Sequence, residues 1–232
     1  MNSGKKKCNK EEIDTMPVRQ LLADVAVFNQ GLVGSDEPIE DVKPLHVNFN
    51  SFKVFFGNEL TVQAASVPPT LIEVSQPKSN ALYTLLMIDA DAPARAGAPF
   101  IPPNTTPGVG VRDNILHYGI VNIPVQGGKD KSKSCNYVRL PIERGFTFAP
   151  WRAINPPANS GYHRYVFLLY EQPRRINTGL PALTVIPAGN PARAHFWPDT
   201  FLSAALEGGN SAKLVATNYF VSRNLVLTPL LT

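Results

Sequence analysis

Residues 161–172 read GYHRYVFLLYEQ, a polar cluster that opens straight onto an apolar run closed by charge. An apolar run of that length, bounded by polar residues, is the pattern of a buried strand. Gly161, Tyr162, His163 and Arg164 then stand at the mouth of the strand, where a pocket can form. The same kind of text extends on both sides. LHVNF, FKVFF, TVQAASV, LIEV, ALYTLLMI and LHYGIVNI are short apolar runs separated by Gly, Pro, Asn and Ser, which predicts a mainly β protein. The 22 prolines are spread along the chain, so many loops join short strands and helices are few.

Two helices are expected. Thr15 can cap one that runs to about Asn29, with Pro17 in its first turn. Asp199 can cap another over TFLSAALE, stopped by Gly208, and KLVATNYFVS then reads as a last strand. At 232 residues the chain fits one domain, with residues 1–14 as a basic tail and 15–232 as the folded unit. Two connections are long, 94–113 and 125–160, and loops of that length are often binding loops.

The formal charge of +4 comes from the tail. MNSGKKKCNK holds four lysines and no acid, and the other 222 residues carry 18 basic and 18 acidic side chains. Cys8 and Cys135 are too few and too far apart in sequence for a disulfide framework or a metal-binding pair, which fits a reducing compartment. No apolar stretch is long enough to span a bilayer, and the N-terminal lysines are not followed by a signal-peptide core. The expected location is cytoplasmic.

The candidate site residues gather at strand ends. His117 and His163 each follow a long loop and open an apolar strand, whereas His46 and His195 have no such context. In TLLMIDADAP, Asp89 and Asp91 share a face of an extended chain, because side chains alternate with a period of two.

PLHV (44–47), YTLLMIDADAP (83–93), LHYGIVNIP (116–124), PP before SGYHRYVFLLYEQ (156–172) and KLVATNYF (213–220) occur in the order found in the phosphatidylethanolamine-binding protein family. That family includes Raf-kinase inhibitors, carboxypeptidase Y inhibitors and plant flowering regulators. The chain resembles it over residues 44–222, through a DxDxP motif and a GxHR motif in the family's order. The resemblance implies a large antiparallel sheet packed with a smaller one, a few short peripheral helices, and a small pocket for phosphate-like anions at one sheet end. It implies that Asp89, Asp91, His117, Pro156, Pro157, His163, Tyr165 and Tyr219 line this pocket. Ala90 stands where the family's motif has proline, which predicts a looser turn between the two acids.

Two protonated imidazoles can each donate to a phosphate oxygen, and neighbouring carboxylates favour that protonated form. Two His and two Asp are also conceivable metal ligands, but neither an HExxH nor a GxSxG pattern is present. The expected function is a non-enzymatic binding or regulatory protein without cofactor or metal. Its ligand would be a phosphate-containing molecule or phospholipid head group, and its client a kinase or protease. The alternative is a structural subunit of a large assembly such as the mitochondrial ribosome, held to RNA through Lys5, Lys6, Lys7, Lys10, Lys129, Lys131 and Lys133.

Overall fold

The computed structural model describes residues 32, 41–92, 114–125, 137–158, 160–208 and 211–224. The basic tail, the helix expected from Thr15, both cysteines, the seven lysines named above and the 94–113 loop lie outside these residues.

Among the described residues ten strands form the framework. They are β1 (Lys43–Phe49), β2 (Phe52–Lys53), β3 (Asn58–Glu59), β4 (Leu71–Ser75), β5 (Leu82–Asp89), β6 (Ile115–Pro124), β7 (Tyr137–Arg139), β8 (Phe146–Ala149), β9 (His163–Gln172) and β10 (Lys213–Ser222). Their order is β7-β4-β1-β10-β9-β5-β6-β8. The large sheet, β10-β9-β5-β6-β8, is antiparallel throughout. β1 joins it in parallel at Lys43 and Pro44, then turns away to pair antiparallel with β4, and β4 with β7. The hydrogen-bonded path thus curls over to form the smaller second layer.

The unbroken apolar text of β5 and β9 follows from cover on both faces. Leu85, Met87, Phe167 and Leu169 meet Val47, Phe49, Ile72 and Val74 of the small sheet. Their alternates Leu86, Ile88, Val166 and Leu168 meet Phe201, Leu202 and Ala205 of the single α-helix among the described residues, α1 (Pro198–Ala205). Each such side chain contributes about 1.5–3 kcal/mol by leaving water, and a one-residue slip would exchange the two cores. Polar groups tie the layers as well. Asn218 Nδ2 donates to Leu45 O and Val54 O, and its Oδ1 accepts from the Phe56 and Tyr219 amides.

Three local readings are corrected. TVQAASV is a series of turns, not a strand. Its Ala65 and Ser66 amides bond to Thr61 O and Gln63 O within the segment. The 125–160 connection contains β7, β8 and a 3-10 turn at Ile142–Arg144, so it is not one long loop. The cap of α1 is Trp197, with Pro198 in the first turn. Asp199 lies one residue inside, where a carboxylate suits the helix dipole but does not cap.

Candidate functional site

β9 enters the sheet at His163, beside the end of β5, where Asp89 is paired with Tyr165. His163 is fully buried, and both of its ring nitrogens are bound: Nδ1 lies 2.8 Å from Asp89 Oδ2 and Nε2 lies 2.9 Å from Ser160 Oγ. The Ser160 hydroxyl also lies 2.6 Å from Pro157 O. Counting hydrogens fixes the protonation. A carbonyl oxygen can only accept, so the one serine proton goes to Pro157 and Nε2 must donate to Oγ. Nδ1 faces a carboxylate and must donate too. The arrangement is therefore satisfied in full by imidazolium. Burial opposes that charge, but the Asp89 hydrogen bond, the Asp89 charge and the Asp91 charge outweigh it and hold the ring above its ordinary pKa.

Aspartate, histidine and serine in line have the order of a nucleophilic triad, but the proton runs the wrong way. An activated serine gives its proton to histidine. Here the serine accepts from the ring and is committed to a backbone carbonyl, at 2% exposure. The line is a tie between the proline segment and β5.

Asp91 does not join Asp89 in holding a histidine. The chain bends back after β5, with the Asp91 amide donating to Asp89 Oδ1 at 3.0 Å. The Asp91 carboxylate instead takes Arg164 in a fork, Nε to Oδ2 at 2.6 Å and Nη2 to Oδ1 at 2.8 Å, and also accepts the Arg164 amide. The turn expected to be loose at Ala90 is tied: the Ala90 amide donates to Arg164 O at 2.9 Å, a bond that proline could not make.

His117 stands on β6, edge-on to the Tyr165 ring with centroids 5.3 Å apart. Its Nδ1 donates to Arg152 O at 2.9 Å, and its own carbonyl accepts the Arg152 amide at 2.8 Å. Burial is the main cause that lowers its pKa, with the Arg152 and Arg193 charges adding to it against the Asp89 charge. A neutral ring with its proton on Nδ1 leaves Nε2 as an acceptor, and Nε2 has no partner. The two histidines are thus opposites, one held charged and one held neutral, and not the two cationic donors expected from sequence.

Tyr165 is fully buried, and its hydroxyl has no hydrogen-bond partner in the chain. It lies near the Asp89 carboxylate. Burial, then that charge, raises its pKa. Pro156 is buried and Pro157 exposed, so Pro157 contributes its carbonyl more than its ring. Tyr219 is not brought to the cluster. It is paired with Val166 and packs with that residue's core, whereas Phe220 takes the Tyr165 side and stacks on it at 5.2 Å. Alternation along β10 decides this. His46 lies in the small sheet with its ring 4.2 Å from Tyr137, away from the site.

Three residues were missed in sequence: Ser160, Arg152 and Arg193. Arg193 is fully buried and donates to the carbonyls of Leu116, His117, Pro150, Ile186 and Pro187. Burial lowers its pKa to about 10. Nothing in a lone Arg or Ser marks these contacts, which join segments distant in sequence. Among the described residues no group of three or more His, Cys, Asp or Glu is placed to hold a metal. None of their helices is long and apolar enough to cross a membrane.

The profile of the phosphatidylethanolamine-binding protein family matches residues 50–220. A 26 kDa secreted antigen of Toxocara canis is 34% identical over 131 residues, 56% of this chain but 39% of that protein. The chain therefore spans well under two thirds of that relative's length. An uncharacterized protein of Saccharomyces cerevisiae is 27% identical over 172 residues, 72% of this chain and 69% of its own. Among solved structures, a carboxypeptidase Y inhibitor complexed with its cognate proteinase superposes with a TM-score of 0.63 at 18% identity, covering 93% of this chain and 99% of that one. A phosphatidylethanolamine-binding protein from Plasmodium vivax gives 0.62 at 17% identity, covering 88% and 96%. At these identities the superpositions speak to fold.

Proposed function

Since this chain belongs to the phosphatidylethanolamine-binding protein family, we propose that it is a non-catalytic binding protein whose site takes a phosphate-bearing group and regulates a protein client. One observation carries the reading: the buried Tyr165 hydroxyl has no hydrogen-bond partner in the chain, and its ring stands edge-on to His117, next to a histidinium tied to Asp89. Buried polar atoms are ordinarily satisfied, and an orphan hydroxyl at a sheet end is a place for a ligand to complete. The inverted serine proton argues against turnover at the same place. A protease or kinase is the client class, in keeping with the solved relative that is a proteinase inhibitor.

The test is a phosphate titration of the full chain, isotope-labelled at histidine and followed by NMR. Saturable movement of the His117 ring is expected, with a smaller response from the enclosed His163 ring. A His117 ring that stays still at saturating phosphate refutes the reading.

A further inference from the structure

Arg193 is a buried charge that meets no counter-charge. The 3-10 turn Pro191–Arg193 is closed by the Arg193 amide on Asn190 O, and Asn190 Oδ1 accepts the Ala192 amide. The turn sends the arginine side chain inward, where the residue is fully enclosed. Its Nε donates to Ile186 O and Pro187 O, its Nη1 to Leu116 O and His117 O, and its Nη2 to Pro150 O and Ile186 O. Every guanidinium nitrogen is thus committed to carbonyls, and among the described residues no carboxylate meets the group. With a pKa of about 10 it is a cation at neutral pH. Carbonyl dipoles solvate such a charge but leave its sign uncancelled. Buried charges are ordinarily paired, so this one marks a place where an anion is missing.

Its contacts say where. Nη1 lies 3.0 Å from His117 O, and the His117 ring stands edge-on to Tyr165, whose buried hydroxyl has no partner in the chain. The orphan hydroxyl and the uncompensated cation therefore meet at one residue, the first from the ring side and the second from the backbone side. Asp89 does not serve as the counter-charge, because its carboxylate is bound 2.8 Å from the His163 ring.

Resting on the phosphate-site reading above, we infer that Arg193 is the fixed positive charge of the ligand site, acting from behind His117 without touching the ligand. It is a positioning residue twice over: its fork holds the carbonyls of Leu116 and His117 at the mouth of β6, and its field favours an anion over a neutral molecule of the same shape. A unit charge about 10 Å away, at an effective dielectric of about 20, changes affinity by roughly tenfold.

The experiment titrates methanesulfonate and dimethyl sulfone, two tetrahedral molecules of similar size that differ by one charge, into the full chain at neutral pH, with inorganic phosphate alongside. The readout is the His117 ring by NMR. In the native chain methanesulfonate should bind at least about tenfold more tightly than the sulfone. Arg193→Gln, which keeps an amide donor and loses the charge, should weaken phosphate roughly tenfold and bring the other two ligands to within about threefold. Arg193→Lys, which keeps the charge and loses the fork, should retain most of the anion preference although it too lowers the urea midpoint. Equal affinities for the anion and the sulfone in the native chain, a comparison that needs no variant to fold, overturn the inference while a phosphate response leaves the anion site standing. So does a loss of binding that is the same in the Gln and Lys variants, which would make Arg193 a brace of the wall and nothing more. A native chain silent to phosphate overturns the inference together with the function proposed above.

Discussion

Replacing Ser160 by Ala tests the protonation that the geometry imposes on His163. In the native chain the ring Nε2–H donates to Ser160 Oγ at 2.9 Å and the hydroxyl donates to Pro157 O at 2.6 Å. With the ring charged, the substitution removes one bond from a cation, worth about 1.5–3 kcal/mol, and one neutral bond, worth about 0.5–1.5 kcal/mol. The expected cost is about 2–4 kcal/mol. With the ring neutral, the single serine proton serves either Nε2 or Pro157 O but not both, and the cost falls to about 0.5–1.5 kcal/mol. The difference, about 1.5–3 kcal/mol, should appear as a fall of about one to two in the ring's pKa in the variant, at 1.36 kcal/mol for each.

The direction with pH follows from the raised pKa of the folded ring. Its stabilisation is complete below the unfolded value of about 6.5 and is lost as pH rises through the folded value. Urea unfolding of both proteins at about pH 5.5 and about pH 9, on either side of that window, measures the two costs, and NMR titration of the ring measures the shift. Equal costs at the two pH values, with an unmoved ring titration, would refute the reasoning: the ring would then be neutral, with the serine proton pointing to it.

Asp91→Asn should be more damaging than any change at the exposed ion pairs. It removes the charge that the buried Arg164 guanidinium grips with two bonds, at a cost of about 3–5 kcal/mol read from the urea midpoint. Lys78→Ala, which removes a largely exposed pair with Glu171, should leave the midpoint nearly unmoved in the same assay, because solvent screens the pair. Gly119→Ala should destabilise by about 1–3 kcal/mol, because its Cβ would press into the buried Phe148 ring; a variant as stable as the native chain would show that β8 yields easily.

Much of the framework was legible in the one-dimensional text. β5, β6, β9 and β10 coincide with apolar runs, since a strand covered on both faces needs no alternation and announces itself by composition. The short edge strands β7 and β8 were not legible. YVR and FTFA are too brief to carry a period, and they exist through pairing with β4 and β6. TVQAASV failed in the opposite sense: its β-prone residues lack a partner strand, and local turn bonds prevail.

At the site, sequence by itself determined which residue types arrive at the sheet end. Asp89, His117, His163 and Tyr165 open or close long strands, and strand order along the chain carries them there. What each does was decided by tertiary structure alone. Asp91 turned to Arg164, Tyr219 went to the opposite face, His163 was charged by Asp89 and locked by Ser160, and His117 was kept neutral beside Arg152 and Arg193. Strand position depends on local text, but a proton's place depends on every acceptor and charge within a few ångströms, and those groups are supplied by segments up to 77 residues away in the chain.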